Sequence, residues 1–126
     1  LIGTVTEAAG VPTGALIESG TTSEGTYVRY ADGTQICWTA RTYTDVDITV
    51  PSGGVYRSEL FSVVFPMAFA TPPSVTLNGS RLDGDWDVWA VTSAVTATQF
   101  NGLHLKMTSD VSQGRVLQYM ALGRWY

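Results

Sequence analysis

An all-β fold, an antiparallel β-sandwich or barrel of about eight short strands, is what this sequence predicts, and three observations predict it. Thirteen glycines and five prolines are spread through 126 residues, so no amphipathic helical window survives between them. Runs of alternating β-branched and aromatic residues recur between those breaks. The dipeptide Asp32-Gly33 separates two such runs, residues 27–31 and 34–40, and Asp-Gly in that setting is a strong hairpin signal.

Taken in order, residues 1–22 carry a weak pattern, with Gly10, Pro12, Gly14 and Gly20 leaving room only for a short strand at 15–19. They read as a tether or joining segment, 1–22, ahead of a β domain at 23–126. In a two-residue hairpin loop, Tyr27, Arg29 and Ala31 share a face with Thr34, Ile36 and Trp38, which sets a cation between two aromatic rings. If that face is core, Arg29 must be paired there. Otherwise Tyr27, Arg29 and Trp38 form a contact with a neighbouring subunit or with an upstream segment. Cys37, the one cysteine, has no disulfide partner and packs as a small hydrophobe.

Residues 45–50 alternate Val46, Ile48 and Val50 against Asp45, Asp47 and Thr49, and the Pro-Ser-Gly-Gly at 51–54 ends them as a turn. Residues 58–65 form a further apolar strand closed by Pro66. The stretch 67–73 holds two prolines that remove ladder donors, so it is a corner that buries Phe69 and leads into a strand at 74–78. Residues 86–95, 99–100, 103–108 and 115–122 supply the remaining strands.

Composition excludes several functions. The formal net charge is −4, and Lys106 is the single lysine beside six arginines, so no basic surface exists to neutralise a nucleic-acid backbone. The longest apolar run, 60–70, is broken by Ser62 and Pro66 and falls short of the ~20 residues of a spanning helix, which argues against membrane insertion. The chain starts at Leu1 with neither an initiator Met nor a signal pattern, as expected of the end piece of a longer polypeptide. One histidine, no Gly-x-Ser-x-Gly elbow, no Walker A lysine loop and no Cys-x-x-Cys leave no catalytic constellation, so no enzyme and no cofactor is expected.

The residues that carry binding chemistry cluster late in the chain. His104 lies in Leu103-His-Leu-Lys-Met107, where Leu103, Leu105 and Met107 are expected inward and His104 and Lys106 in water. Asp83, Asp85 and Asp87 imitate the opening of a calcium loop, but Val88 and Ala94 stand where that loop has Gly and Glu, so no metal is expected, a looser oxygen-ligand calcium site being the alternative. Trp86 and Trp89 lie on opposite faces of one strand. Whichever ring faces outward stands beside Asp85 or Asp87, an aromatic face with acceptors that suits a sugar; the alternatives are a subunit interface or plain packing. At the C-terminus, Arg124-Trp125-Tyr126 reads equally as structure or as contact.

The stretches GALIESGTTSEG (14–25), GTYVRYADGTQICW (25–38) and YMALGRWY (119–126) together resemble the C-terminal knob modules of tailed-phage fibres and spikes, including those of gene transfer agents. The order FSVVFPMAFATPPSVTL, a Trp-Val strand with Val91-Thr92, Phe100 and YMALGRWY also resembles the H-type lectin layout, a six-stranded sandwich that forms trimers and binds sugars. Where its sugar-binding members carry Trp and Asp before the last strand, this chain keeps Asp110 but has Met107 and Thr108. The resemblance implies a homotrimeric knob on a virion or phage-like particle, acting extracellularly with other virion proteins as partners. It would attach the particle to a bacterial surface polysaccharide, capsule or lipopolysaccharide, by multivalent binding without chemistry. The alternative is a structural fibre-tip, trimerisation or docking module with no receptor site. The candidate ligand-binding residues are Asp85, Trp86, Asp87, Trp89, His104, Asp110, Arg124 and Trp125.

Overall fold

The computed structural model describes residues 2–82 and 88–126. Eleven strands are defined there: β1 (Glu7–Ala8), β2 (Val11–Pro12), β3 (Ile17–Thr22), β4 (Gly25–Tyr30), β5 (Thr34–Ser52), β6 (Val55–Ser58), β7 (Phe61–Val64), β8 (Ser74–Arg81), β9 (Val88–Val95), β10 (Gln99–Lys106) and β11 (Asp110–Arg124). All pairings between them are antiparallel. One layer runs β3-β4-β5-β11-β8. In the other, β10 pairs β9 on one edge and both β6 and β7 on the opposite edge. The long strand β5 joins the layers, since its first half pairs β4 and β11 while its last residues pair β6. Of the sandwich or barrel expected from the breaks and alternation, the all-β antiparallel sandwich is the form present.

The core lies between the layers. Cys37, Leu117, Tyr119 and Ala121 from β5 and β11 meet Val63, Phe65, Phe69 and Phe100 from the other layer and the corner. The rings interlock edge to face, with centroids 5.0 Å apart for Phe100 and Tyr119 and 5.1 Å for Phe65 and Phe69, the geometry their quadrupoles favour. Phe69 is buried at the double-proline corner, as its sequence implied.

Four expectations are corrected by the register and the pairing. The first concerns the hairpin, where Arg29 pairs Gln35 and Tyr27 pairs Cys37, so Ala31-Asp32-Gly33 is a three-residue loop. The Gly33 amide bonds to the Tyr30 carbonyl at 3.0 Å, and of the three loop residues Gly33 alone has positive φ, at 98°. One extra loop residue turns Tyr27 and Arg29 to the face opposite Trp38. The second is parity along β10: Phe100, Gly102, His104 and Lys106 are buried, while Met107 is exposed. His104 therefore points in rather than out, because an acidic partner for its basic neighbours waits at that end of the sandwich. The third is the single strand at 58–65, which is broken at Glu59-Leu60 into β6 and β7. The fourth is the segment 1–22: Ile17–Thr22 is a full strand of the main sheet, paired residue by residue with β4, so the boundary placed after Thr22 falls inside a hairpin.

Candidate functional site

Two bulges shape one corner of the sandwich. Between the pairs Tyr43↔Arg115 and Val46↔Gln113, β5 carries one residue more than β11; between Val46↔Gln113 and Ile48↔Asp110, β11 carries the extra one. Asp45 and Ser112 absorb these insertions with left-handed backbones, φ 56° and 50°. Asp tolerates that region better than most residues because its short side chain bonds locally. The Ser112 amide donates to Asp47 Oδ1 at 2.8 Å, which closes the second bulge. Bulges bend a strand and re-aim its side chains.

Here they open a pocket of about 290 Å³ lined by Tyr43, Asp45, Val46, Asp47, Ser58, Glu59, Leu60, Phe61 and His104. The rings of Tyr43 and Phe61 lie 5.6 Å apart, and both pack on the imidazole of His104, at 6.3 and 5.3 Å. His104 is 1% exposed, and neither ring nitrogen makes a hydrogen bond. Burial, with the Arg115 guanidinium nearby, pushes its pKa down to about 4, so the imidazole is neutral at pH 7. Burial also raises the Tyr43 phenol, against the pull of Arg41. Asp45, Asp47 and Glu59 stand exposed at the rim, and the lining includes no Lys or Arg. Among the described residues no three His, Cys, Asp or Glu side chains converge as a metal site requires. An aromatic wall, a ring of acceptors and an unpartnered donor and acceptor on the floor suit a hydroxylated ligand about the size of one sugar unit.

Behind the floor lies a charged cluster. Arg115, fully buried, donates through Nη2 to Asp110 Oδ2 at 3.0 Å and through Nη1 to the Gly114 carbonyl, and Lys106 Nζ donates to the same Asp110 oxygen at 2.7 Å. Burial favours the protonated carboxyl, but these two cations outweigh it and hold Asp110 below the usual carboxylate range. Asp110, a candidate ligand residue from the sequence, is therefore occupied as a counter-ion.

The other sequence candidates divide between places. Asp85, Trp86 and Asp87 lie outside the described residues. Trp89 is on the outward face of β9 opposite Leu105, 38% exposed, and so on the other face of its layer from inward-pointing His104. Arg124 and Trp125 clamp the hairpin loop: Arg124 Nη2 donates to the Asp32 carbonyl at 2.7 Å, and Trp125 Nε1 to the Tyr30 carbonyl at 2.8 Å. Tyr126 meets Trp125 edge to face at 4.6 Å, and its hydroxyl donates to the Ala31 carbonyl. Arg29 lies over Trp125 at 5.3 Å and donates to Gln35 Oε1 at 2.8 Å, while Tyr27 donates to Glu18. Of the three interface candidates, Trp38 alone lies on the outward face, beside a shallow groove with Ala40, Thr76, Gln118 and Met120. Sequence reasoning thus named His104 and missed its companions. Asp45 and Asp47 read as the wet side of a strand, and only the bulges turn them toward Glu59 and the two rings.

No protein-family model and no curated protein matches the chain. Solved structures do. The C-terminal region of the Pseudomonas aeruginosa R1 pyocin fibre superposes over 87% of this chain with a TM-score of 0.63 at 16% identity, and this chain spans 28% of that one. An N-truncated R1-type pyocin tail fibre gives 0.62 at 16% identity, with 87% of each chain covered. Discoidin II of Dictyostelium discoideum gives 0.52 at 15% identity over 72% of this chain and 37% of that one. The chain has the fold of a pyocin-type tail-fibre C-terminal module.

Proposed function

We propose that the chain is the receptor-binding tip of a phage-type fibre or spike, which attaches its particle to a bacterial surface glycan by adhesion without chemistry. The pocket at the bulged corner carries this reading, and the fibre fold supports it. Tyr43 and Phe61 supply a ring face for the C–H face of a sugar, and Asp45, Asp47 and Glu59 supply acceptors for its hydroxyls. The His104 side chain bonds to no nucleophile and no carboxylate, which suits binding rather than general acid or base catalysis. The particle would bear the tip as a homotrimer, with Trp38 and Met120 packed between subunits, so that three weak sites act together. It would work outside the cell on capsule or lipopolysaccharide.

A pull-down on encapsulated cells and their capsule-free or rough derivatives, with the wild-type chain and Tyr43→Ala, tests the proposal. Binding should follow one of the two polysaccharides and fall about 5- to 150-fold in the variant, from loss of 1–3 kcal/mol of stacking and apolar burial. Equal binding to every strain, or full binding by a folded Tyr43→Ala chain, would refute it.

A further inference from the structure

We propose that the pocket prefers a sugar unit that carries a free, protonated amino group, and disfavours acidic and phosphorylated sugars; this rests on the adhesion reading above. Charge and cavity together carry the inference. Asp45, Asp47 and Glu59 line one concavity, and no Lys or Arg shares that lining. Among the described residues, neither Asp45 nor Glu59 is engaged in an ion pair. Of the nearby guanidinium groups, Arg41 is occupied by Glu24 and Arg115 by Asp110, while Arg57, outside the lining, donates to the Ser58 carbonyl. An acid cluster alone would be a solvated rim. What makes this one a site is His104, 1% exposed on the floor beneath two rings with both nitrogens unpartnered. A buried donor and acceptor left open invite a polar occupant.

The occupant's chemistry follows from the lining. Its hydroxyls meet the imidazole, its C–H face meets Tyr43 and Phe61, and its ammonium meets the carboxylates at the rim, where a cation also gains from the aromatic faces. Among the described residues no three carboxylates or imidazoles converge as a metal site requires. A carboxylate or phosphate on the ligand meets repulsion from all three instead.

Isothermal titration of the full chain with glucosamine oligomers, and with the same oligomers N-acetylated, tests this directly. The free-amine oligomers should bind about tenfold tighter, as two or three partly exposed ion pairs imply. That preference should shrink as salt is raised and vanish in the Asp45→Asn, Glu59→Gln double variant, in which Asn keeps the left-handed backbone. Acetylated oligomers that bind equally or better, a preference that survives the double variant, or no binding of either oligomer would each overturn the inference. Tyr43-dependent binding to cells under any of those outcomes would leave the adhesion reading standing, so the two fail separately.

Discussion

His104 is where the residue scale is most informative. A histidine neutral inside the fold with pKa about 4, against 6.5 unfolded, binds its proton less readily when folded. The unfolded chain therefore takes up the extra proton between those values, and stability is full above about pH 6.5 and declines as pH falls toward 4. The whole effect is about 3 kcal/mol at about 1.4 kcal/mol per pH unit. Urea unfolding at pH 7 and pH 4.5 should show most of this decline, and His104→Phe, which fills the same space between Tyr43 and Phe61, should remove its share; an identical decline in the variant would show that His104 is not the group responsible. A second expectation concerns Asp45. Replacing it by Gly relieves left-handed strain of about 1–2 kcal/mol and adds about 0.5–1 kcal/mol of unfolded-chain entropy, so the melting curve should barely move while binding weakens. A large drop in stability would mean the carboxylate holds the bulge rather than the ligand. The sequence showed His104 as the lone imidazole but not its direction. Leu103, Leu105 and Met107 favour the opposite parity, but core Phe100 shares the face of His104, and Asp110, from the start of the next strand, takes the charge of Lys106 at the end of that face.

At the scale of elements, strands were legible and registers were not. Strands stand at the runs 27–31 and 34–40 and at the C-terminus, but Ala31 falls in the loop, the runs 34–40 and 45–50 are one strand, β5, and the last strand starts at Asp110. The turn type between the first pair differs by one residue, and period-2 side-chain geometry turns that single residue into an inverted face. Nothing local in Asp32-Gly33 reveals it, because the longer loop is held from outside: Trp125 donates its backbone amide to the Gly33 carbonyl at 2.9 Å, and Arg124 and Tyr126 bond to Asp32 and Ala31. The bulges at Asp45 and Ser112 were equally invisible, since an extra residue in one strand is defined only by its partner. Gly33→Val tests the loop. Its Cβ would stand 2.1 Å from Arg124 Nη2 and its φ of 98° is strained for a branched residue, so stability should fall by about 1–3 kcal/mol and the fluorescence of Trp125 should shift as the clamp opens. An unchanged melting temperature would show that the loop adapts without cost.

For the whole molecule, the sandwich buries its aromatic core between two layers and leaves Trp38, Met120 and Leu122 exposed on the outer face of β5 and β11. Large apolar side chains grouped on one face commonly mark a contact surface. The chain should therefore sediment at three times 13.6 kDa, and Trp38→Asp should bring it to a single chain without unfolding it; a wild-type monomer at micromolar concentration would remove the trimer from the account. Fibre-type fold and bulged pocket meet in one claim, that adhesion happens at the Tyr43–His104 corner. Backbone amide shifts of the isotope-labelled chain, followed by NMR while surface polysaccharide from a bound strain is added, test it most directly. Saturable shifts confined to residues 43–47 and 58–61 and around His104 are expected. Shifts centred on Trp38 and Met120, on Trp89 alone, or none at all with a polysaccharide the chain is known to bind would contradict it.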